Sequence, residues 1–242
     1  MVRLLAAHLG LMTLVAVAIT GCATQPVNVK PPGLPPTPKS VTNHNPGGDA
    51  ADPELAALER LAAQPFGWRR DKFETLRVPL IDWKNWRRVT IFGTPSRAAY
   101  QYGDDHIAVI GIAYTTIEGE NDPDRCLQKF LEKATPPAEA YGARIGETRM
   151  IHVDQKIDGE RRPMAIKLID GAVESLLDSN DYLAAVASYQ SWPGTCLIQA
   201  FAVMSTHHRD VAVKIRDRWV AEGAPGIGWE KAITEAPPTT AR

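Results

Sequence analysis

Read for the spacing of its apolar side chains, the chain alternates between a helical and a strand period. Asp52-Pro53-Glu54 offers an acidic cap with proline at the first helical position, and Leu55, Leu58 and Leu61 then share one stripe, which predicts a short helix. A second helix begins the same way at Asp122-Pro123-Asp124. It lines up Leu127, Phe130, Leu131 and Ala134 before Pro136-Pro137 is expected to end it. A third is expected from about His208 to Glu222, with Val211, Ala212, Ile215 and Trp219 inward and Gly223 as its stop.

Between these helices the pattern turns to paired strands. Arg97 to Tyr102 and His106 to Thr116 flank Gly103-Asp104-Asp105, and Ile145 to Ile157 and Glu160 to Asp170 flank Asp158-Gly159, a two-residue hairpin signal. Tyr182 to Ser191 and Cys196 to Ser205 are joined by Trp192-Pro193-Gly194-Thr195. Pairing outward from that turn sets Ser191 opposite Cys196 and Tyr189 opposite Ile198. Cys196, Ile198, Ala200, Ala202 and Met204 then share an apolar face with Leu183, Ala185, Ala187 and Tyr189. Consecutive hairpins with about three helices predict an α+β domain built on an antiparallel sheet. The element order of helix, hairpin, helix, two hairpins and helix resembles the α/β/α sandwich of the PsbP-like family of extracytoplasmic proteins.

The pattern changes ahead of residue 53. Arg3 precedes an apolar run from Leu4 to Ile19, a charged start and hydrophobic stretch like those of secretory signals and short for a spanning helix. The run closes Ile19-Thr20-Gly21-Cys22, which resembles the lipobox of bacterial lipoproteins. That resemblance implies cleavage after residue 21, acylation of Cys22, and a membrane anchor of palmitate-type chains held by a diacylglycerol and an amide linkage. Two or more such chains hold stably where one does not. Ala23 stands where the family's inner-membrane retention signal has Asp, so the resemblance implies the outer membrane, at its periplasmic face or the cell surface.

From Ala23 to Asp52 there are seven prolines, three glycines and no aromatic residue, a composition that cannot bury enough apolar surface to order itself. The expected organisation is a signal peptide over 1–21, a lipidated cysteine and disordered linker over 22–52, one soluble domain over 53–235 and a frayed tail over 236–242.

Composition narrows the partners. With 44% hydrophobic and 23% charged residues, the 242-residue chain fits one globular domain with appendages, not a polytopic membrane protein or a disordered chain. Lys+Arg 27 against Asp+Glu 28 leaves no global field for nucleic acid, so none is expected as partner.

Chemistry-bearing motifs are sparse. Without Cys22, two thiols remain, Cys126 beside the stripe of the second helix and Cys196 on the apolar sheet face. An oxidising compartment favours a disulfide between them over two inert buried thiols. His207 and His208 are adjacent, so on a helix they point about 100° apart, and no HExxH, CxxC or His-x-His spacing joins them. The acids of Glu118 to Asp124 lack the order of a calcium loop and read as helix-capping charge. There is no G-x-S-x-G, S-x-x-K, G-x-G-x-x-G or P-loop. No catalytic residue, metal or cofactor is therefore expected.

One segment stands out by composition. Phe66 to Arg88 holds Trp68, Trp83 and Trp86, three of the six tryptophans, with seven basic residues against three acidic ones. Trp68, Arg69, Arg70, Trp83, Lys84, Trp86, Arg87 and Arg88 form the candidate surface for an envelope protein or an anionic glycan or lipid. The competing reading makes the aromatics core plugs and the arginines their cover. The sequence thus points to a membrane-anchored, non-catalytic binding or scaffolding module of the envelope. A periplasmic hydrolase with acids or His207 and His208 in a cleft is the alternative.

Overall fold

The computed structural model describes residues 52–70, 76–89, 98–102, 110–140, 143–157, 160–174, 179–192 and 195–229. The lipobox with Cys22, the Pro-rich linker up to residue 51, the tail, His106, and residues 103–105, 158–159 and 193–194 of the three hairpin turns lie outside the described residues.

Helix α1 (Pro53–Ala63) starts as its sequence demands, with the Asp52 carboxylate accepting the Glu54 and Leu55 backbone N–H groups and proline in the first turn. Strands β1 (Phe66–Arg70) and β2 (Leu76–Ile81) pair antiparallel, and a 3-10 turn (Trp83–Asn85) leads into β3 (Trp86–Val89). There follow β4 (Ala98–Tyr102), β5 (Ile110–Glu118), helix α2 (Pro123–Ala140), β6 (Ala143–Ile157), β7 (Glu160–Glu174), β8 (Ser179–Trp192) and β9 (Thr195–Ser205). Helix α3 (Arg209–Arg218) continues into a wide π turn (Trp219–Gly223), a 3-10 turn (Ala224–Gly226) and the short β10 (Gly228–Trp229). Three α-helices among the described residues and antiparallel pairing throughout make this an α+β domain.

Strands β3-β4-β5-β9-β8-β7-β6 form one seven-stranded sheet, and β1-β2-β10 a smaller one. Two apolar clusters sandwich the large sheet. Leu58 and Leu61 of α1, Ala212 and Ile215 of α3, Trp219, and Val78, Leu80 and Ile81 of the small sheet pack on Phe201, Val203, Leu183 and Met164. On the opposite face Leu127, Phe130 and Ala134 of α2 pack on Ala165, Ile169, Ala184, Val186 and Ile198.

Three sequence expectations change. Trp192 pairs with Thr195, but Gln190 pairs with Cys196, so Ser191 is an extra residue, a β-bulge. One inserted residue inverts the face of everything upstream. Cys196, Ile198 and Ala202 therefore share their face with Ala184 and Val186, while Leu183, Ala185, Ala187 and Tyr189 look the other way. Helix α2 runs past Pro136-Pro137 to Ala140: the fixed φ of proline is itself helical, and near the end of the helix the lost N–H bonds and the crowding of the preceding turn weaken it without stopping it. Gly223 is not a left-handed stop: its φ is −84°, and the chain winds on. It is glycine because a Cβ there would sit 2.6 Å from Trp219 Cδ1 and 2.9 Å from Phe66 Cε1.

Charged and polar groups fasten these layers. Arg209 reaches Asp181 at 3.1 Å and Asp170 at 2.8 Å, and buried Arg216 also pairs with Asp170, tying α3 to β7 and β8. Arg218 donates to the carbonyls of Ala62 and Gln64 at 2.7 Å and lies over the Phe66 ring, joining α3 to the end of α1. Gln155 on β6 donates to the carbonyls of Pro225 and Ile227, which anchors the turn before β10.

Candidate binding surface

The residues of the basic aromatic segment divide between the two sheets. Trp68, Arg69 and Arg70 lie on β1, in register with Pro79, Val78 and Arg77. Trp86, Arg87 and Arg88 begin the large sheet's short edge strand, opposite Tyr102, Gln101 and Tyr100. The side chains of Trp68, Arg69, Arg70 and Arg88 lie outside the described residues.

The junction between the sheets is the 3-10 turn. Asp82, ahead of it, has φ +52°, a left-handed conformation that aspartate tolerates better than most residues. Its carboxylate accepts from Asn85 Nδ2 and from the Tyr102 hydroxyl, both at 2.6 Å, and its carbonyl accepts the Asn85 N–H. Burial, and then the Asp82 carboxylate, hold the Tyr102 hydroxyl protonated well above the ordinary tyrosine range, so it stays a donor.

The same turn sends its two tryptophans opposite ways. Trp86 is 2% exposed, its indole N–H bonded to the Ile81 carbonyl at 2.6 Å and its ring edge-on to Tyr102 with centroids 5.5 Å apart. It is a core plug and leaves the candidate surface, because its indole satisfies its own donor inside the fold and seals the gap between the sheets. Trp83 is 40% exposed. Its indole packs against the backbone of Gly67, where any Cβ would overlap the ring, and the Lys84 ammonium stands 5.8 Å from the ring centroid. Lys84 and Arg87 are themselves exposed. Among the described side chains the exposed members of the candidate surface are thus Trp83, Lys84 and Arg87, with Trp83 packed on Gly67 and its turn held by the Asp82–Asn85–Tyr102 bonds. Sequence reasoning found the indole and the cations but missed Gly67 and Asp82. The Asp82-x-x-Asn85 spacing, a turn signal, was the available clue.

Of the groups of the alternative reading, His208 and two acids bond within one cluster. Glu54, though an acid, is 7% exposed, and its carboxylate accepts from Ser205 Oγ at 2.5 Å and from the Thr206 and His207 backbone N–H groups. Ser205 Oγ accepts the His208 N–H at 2.7 Å, and the His208 ring meets Asp52 at 2.7 Å. Ser205 thus gives its proton to a carboxylate, not to an imidazole. The cluster ties the start of α1 to the start of α3, and the bonds from His208 and the helix N–H groups hold the Asp52 carboxyl below its ordinary range. The His207 side chain is exposed.

The acids ahead of α2 are capping groups. Glu120 accepts the Asn121 and Asp122 N–H groups and pairs with Lys129 at 2.8 Å, which lowers its pKa, and Asp122 caps the Arg125 N–H. His152 meets Asp124 at 2.8 Å. Among the described residues no group of three or more His, Cys, Asp or Glu could hold a metal ion, and no helix is long and apolar enough to cross a membrane. Cys126 and Cys196 form a disulfide with Cα atoms 6.4 Å apart, joining α2 to β9.

No protein-family model and no curated protein matches the chain. Among solved structures it is similar to a single-residue mutant of the protein Mog1, at 10% identity and TM-score 0.43 over 65% of this chain and 89% of that one. It is also similar to the cyanobacterial PsbP (CyanoP) of Synechocystis sp. PCC 6803, at 14% identity and TM-score 0.41 over 65% and 90%. LpqN of Mycobacterium tuberculosis, described as involved in cell envelope biogenesis, overlaps at 11% identity and TM-score 0.30 over 63% and 88%. At such identities and overlaps none of them carries an argument about what this chain does.

Proposed function

We propose that the chain is a lipid-anchored protein of the bacterial envelope that binds or scaffolds a partner without catalysis, held by acyl chains on Cys22 and meeting the partner through Trp83, Lys84 and Arg87. The observation that carries the reading is the exposed indole of Trp83. A 40% exposed tryptophan packed on glycine backbone, with the Lys84 ammonium beside its ring, has the make-up of an interface anchor: a rigid aromatic area bordered by a charge that steers encounter. The Ile19-Thr20-Gly21-Cys22 resemblance supplies the compartment, and the partner classes are an envelope protein or an anionic glycan or lipid. The outer membrane, at its periplasmic face or the cell surface, is the site of residence that Ala23 favours.

Metabolic labelling tests the anchor. Cells fed radiolabelled palmitate should label the wild-type protein and leave Cys22→Ala unlabelled. An unlabelled wild type, or a Cys22→Ala protein that keeps its label, would remove the anchor from the account.

A further inference from the structure

Strand β6 ends the seven-stranded sheet, and its pairing with β7 shifts between Ile145 and Thr148, where an irregularity guards the first part of this edge. From Thr148 to Ile157 the pairing with β7 is regular, which leaves ten residues, or ~33 Å of edge, whose alternate residues turn outward N–H and C=O groups that no described strand takes up.

On the α2 side this edge borders an open groove of about 680 Å³ between α2 and strands β6 and β7, with Leu127, Leu131 and Met150 among its lining. Met150 is 43% exposed and Ile145 37%, two of the three exposed large apolar side chains among the described residues. Lys167, directly opposite Met150 in register, is half-buried in the same groove and is its one lining cation, sharing the lining with the carboxylates of Asp124 and Glu132. No described carboxylate pairs with it, since Asp124 is engaged by His152, and Glu132 accepts from Gln128 on the helix.

We propose that this edge and groove bind an extended segment of a partner protein, which adds an eighth strand beside β6. Its side chains on the α2 face would alternate so that apolar residues fill the groove over Leu131 and Met150 and one carboxylate meets Lys167. Each feature selects the occupant. The edge, unpaired among the described strands, asks for a polypeptide backbone, since only that repeats N–H and C=O at the strand period. The groove asks for apolar side chains at every second position. The lone cation asks for an acid at one register, which fixes the alignment. This site is separate from the Trp83 surface and stands or falls independently of it.

The test uses the purified full chain, free of detergent, and a fluorescent ten-residue peptide of alternating Thr and Val in which the central Val is Glu. Anisotropy should show saturable binding, and hydrogen exchange should slow at alternate amides of Thr148–Ile157. Lys167→Glu should weaken this peptide at least tenfold and bind its Glu-to-Lys counterpart at least tenfold better than the wild type does. Met150→Asp should weaken both peptides, and N-methylation of alternate peptide amides should abolish binding. Three results would overturn the proposal: no saturable binding to either peptide, peptide binding that leaves the β6 amides unprotected or ignores the charge exchange, or sodium laurate outcompeting the peptide without β6 protection. The last would make the groove an amphiphile site. Sedimentation showing a dimer that Met150→Asp dissociates would assign the edge to a second copy and overturn it too.

Discussion

One face of the seven-stranded sheet carries α1, α3, the turns from Trp219 to Gly226 and the small sheet, whereas the other, among the described residues, carries α2 alone. The crowded face is held by many non-covalent devices: Phe201 stacked on Trp219 at 4.9 Å, the Arg209 and Arg216 pairs with Asp170, the Arg218 bonds to the end of α1, and the Glu54–Ser205 cluster. It even accommodates the Gln199 amide and the Tyr189 hydroxyl, buried without a hydrogen bond, at a cost of about 1–3 kcal/mol each. The sparse face has one helix, fastened at its start by Ser188 Oγ donating to the Pro123 carbonyl and by the Cys126–Cys196 disulfide. Where several elements share the burial, removing any one tie leaves others. Where one helix does it alone, a covalent link takes their place, and the strip it leaves uncovered becomes a groove.

The contrast can be broken first on the crowded face. Trp219 is fully buried beneath Gly223 and against Phe201. Trp219→Ala should cost about 3–5 kcal/mol, the range for emptying a large aromatic site, and lower the melting temperature sharply by calorimetry. A loss under about 1 kcal/mol would mean that this face is loosely packed and the comparison fails.

A smaller loss should come from the sparse face. The disulfide spans 70 residues of sequence, and Cys126→Ser with Cys196→Ser should cost about 2–4 kcal/mol in urea unfolding. Hydrogen exchange of that variant sharpens the point: amides of α2 should speed up selectively while those of α3 stay protected. Uniform acceleration over both helices would show that the link stabilises the domain as a whole and not this face in particular.

How far the sequence reached differs between the faces in the same way. Local signals were reliable wherever they were local in physics: Asp-Pro starts for α1 and α2, the 3.6-residue stripes, and the hairpin pairs that became β6–β7 and β8–β9. The disulfide was legible because Cys196 alternates with Ile198 and Ala202 within a single strand, so its face did not depend on the neighbour. The face of β8 did depend on it, and one bulge residue, Ser191, reversed the assignment. Strands β1, β2 and β3 went unread. Their charges broke the period, and what makes them strands is distant pairing, with β10 for β2 and with β4 for β3. For the same reason composition alone could not separate Trp83 from Trp86. Three residues apart, they diverge because Gly67 and Tyr102, remote in sequence, offer one a shelf and the other a pocket.

The smallest expected effect on stability carries the most functional weight. Trp83 and Lys214 are both exposed, the first between the two sheets and the second on α3. Substitution of either by a photoreactive phenylalanine analogue should shift stability by only about 0.5 kcal/mol. After irradiation of intact cells, the analogue in place of Trp83 should give a discrete crosslinked species in the envelope fraction, and the one in place of Lys214 should give none. Crosslinks from Lys214 as abundant as those from Trp83, or no species from Trp83 at all, would contradict the claim that the partner is met there.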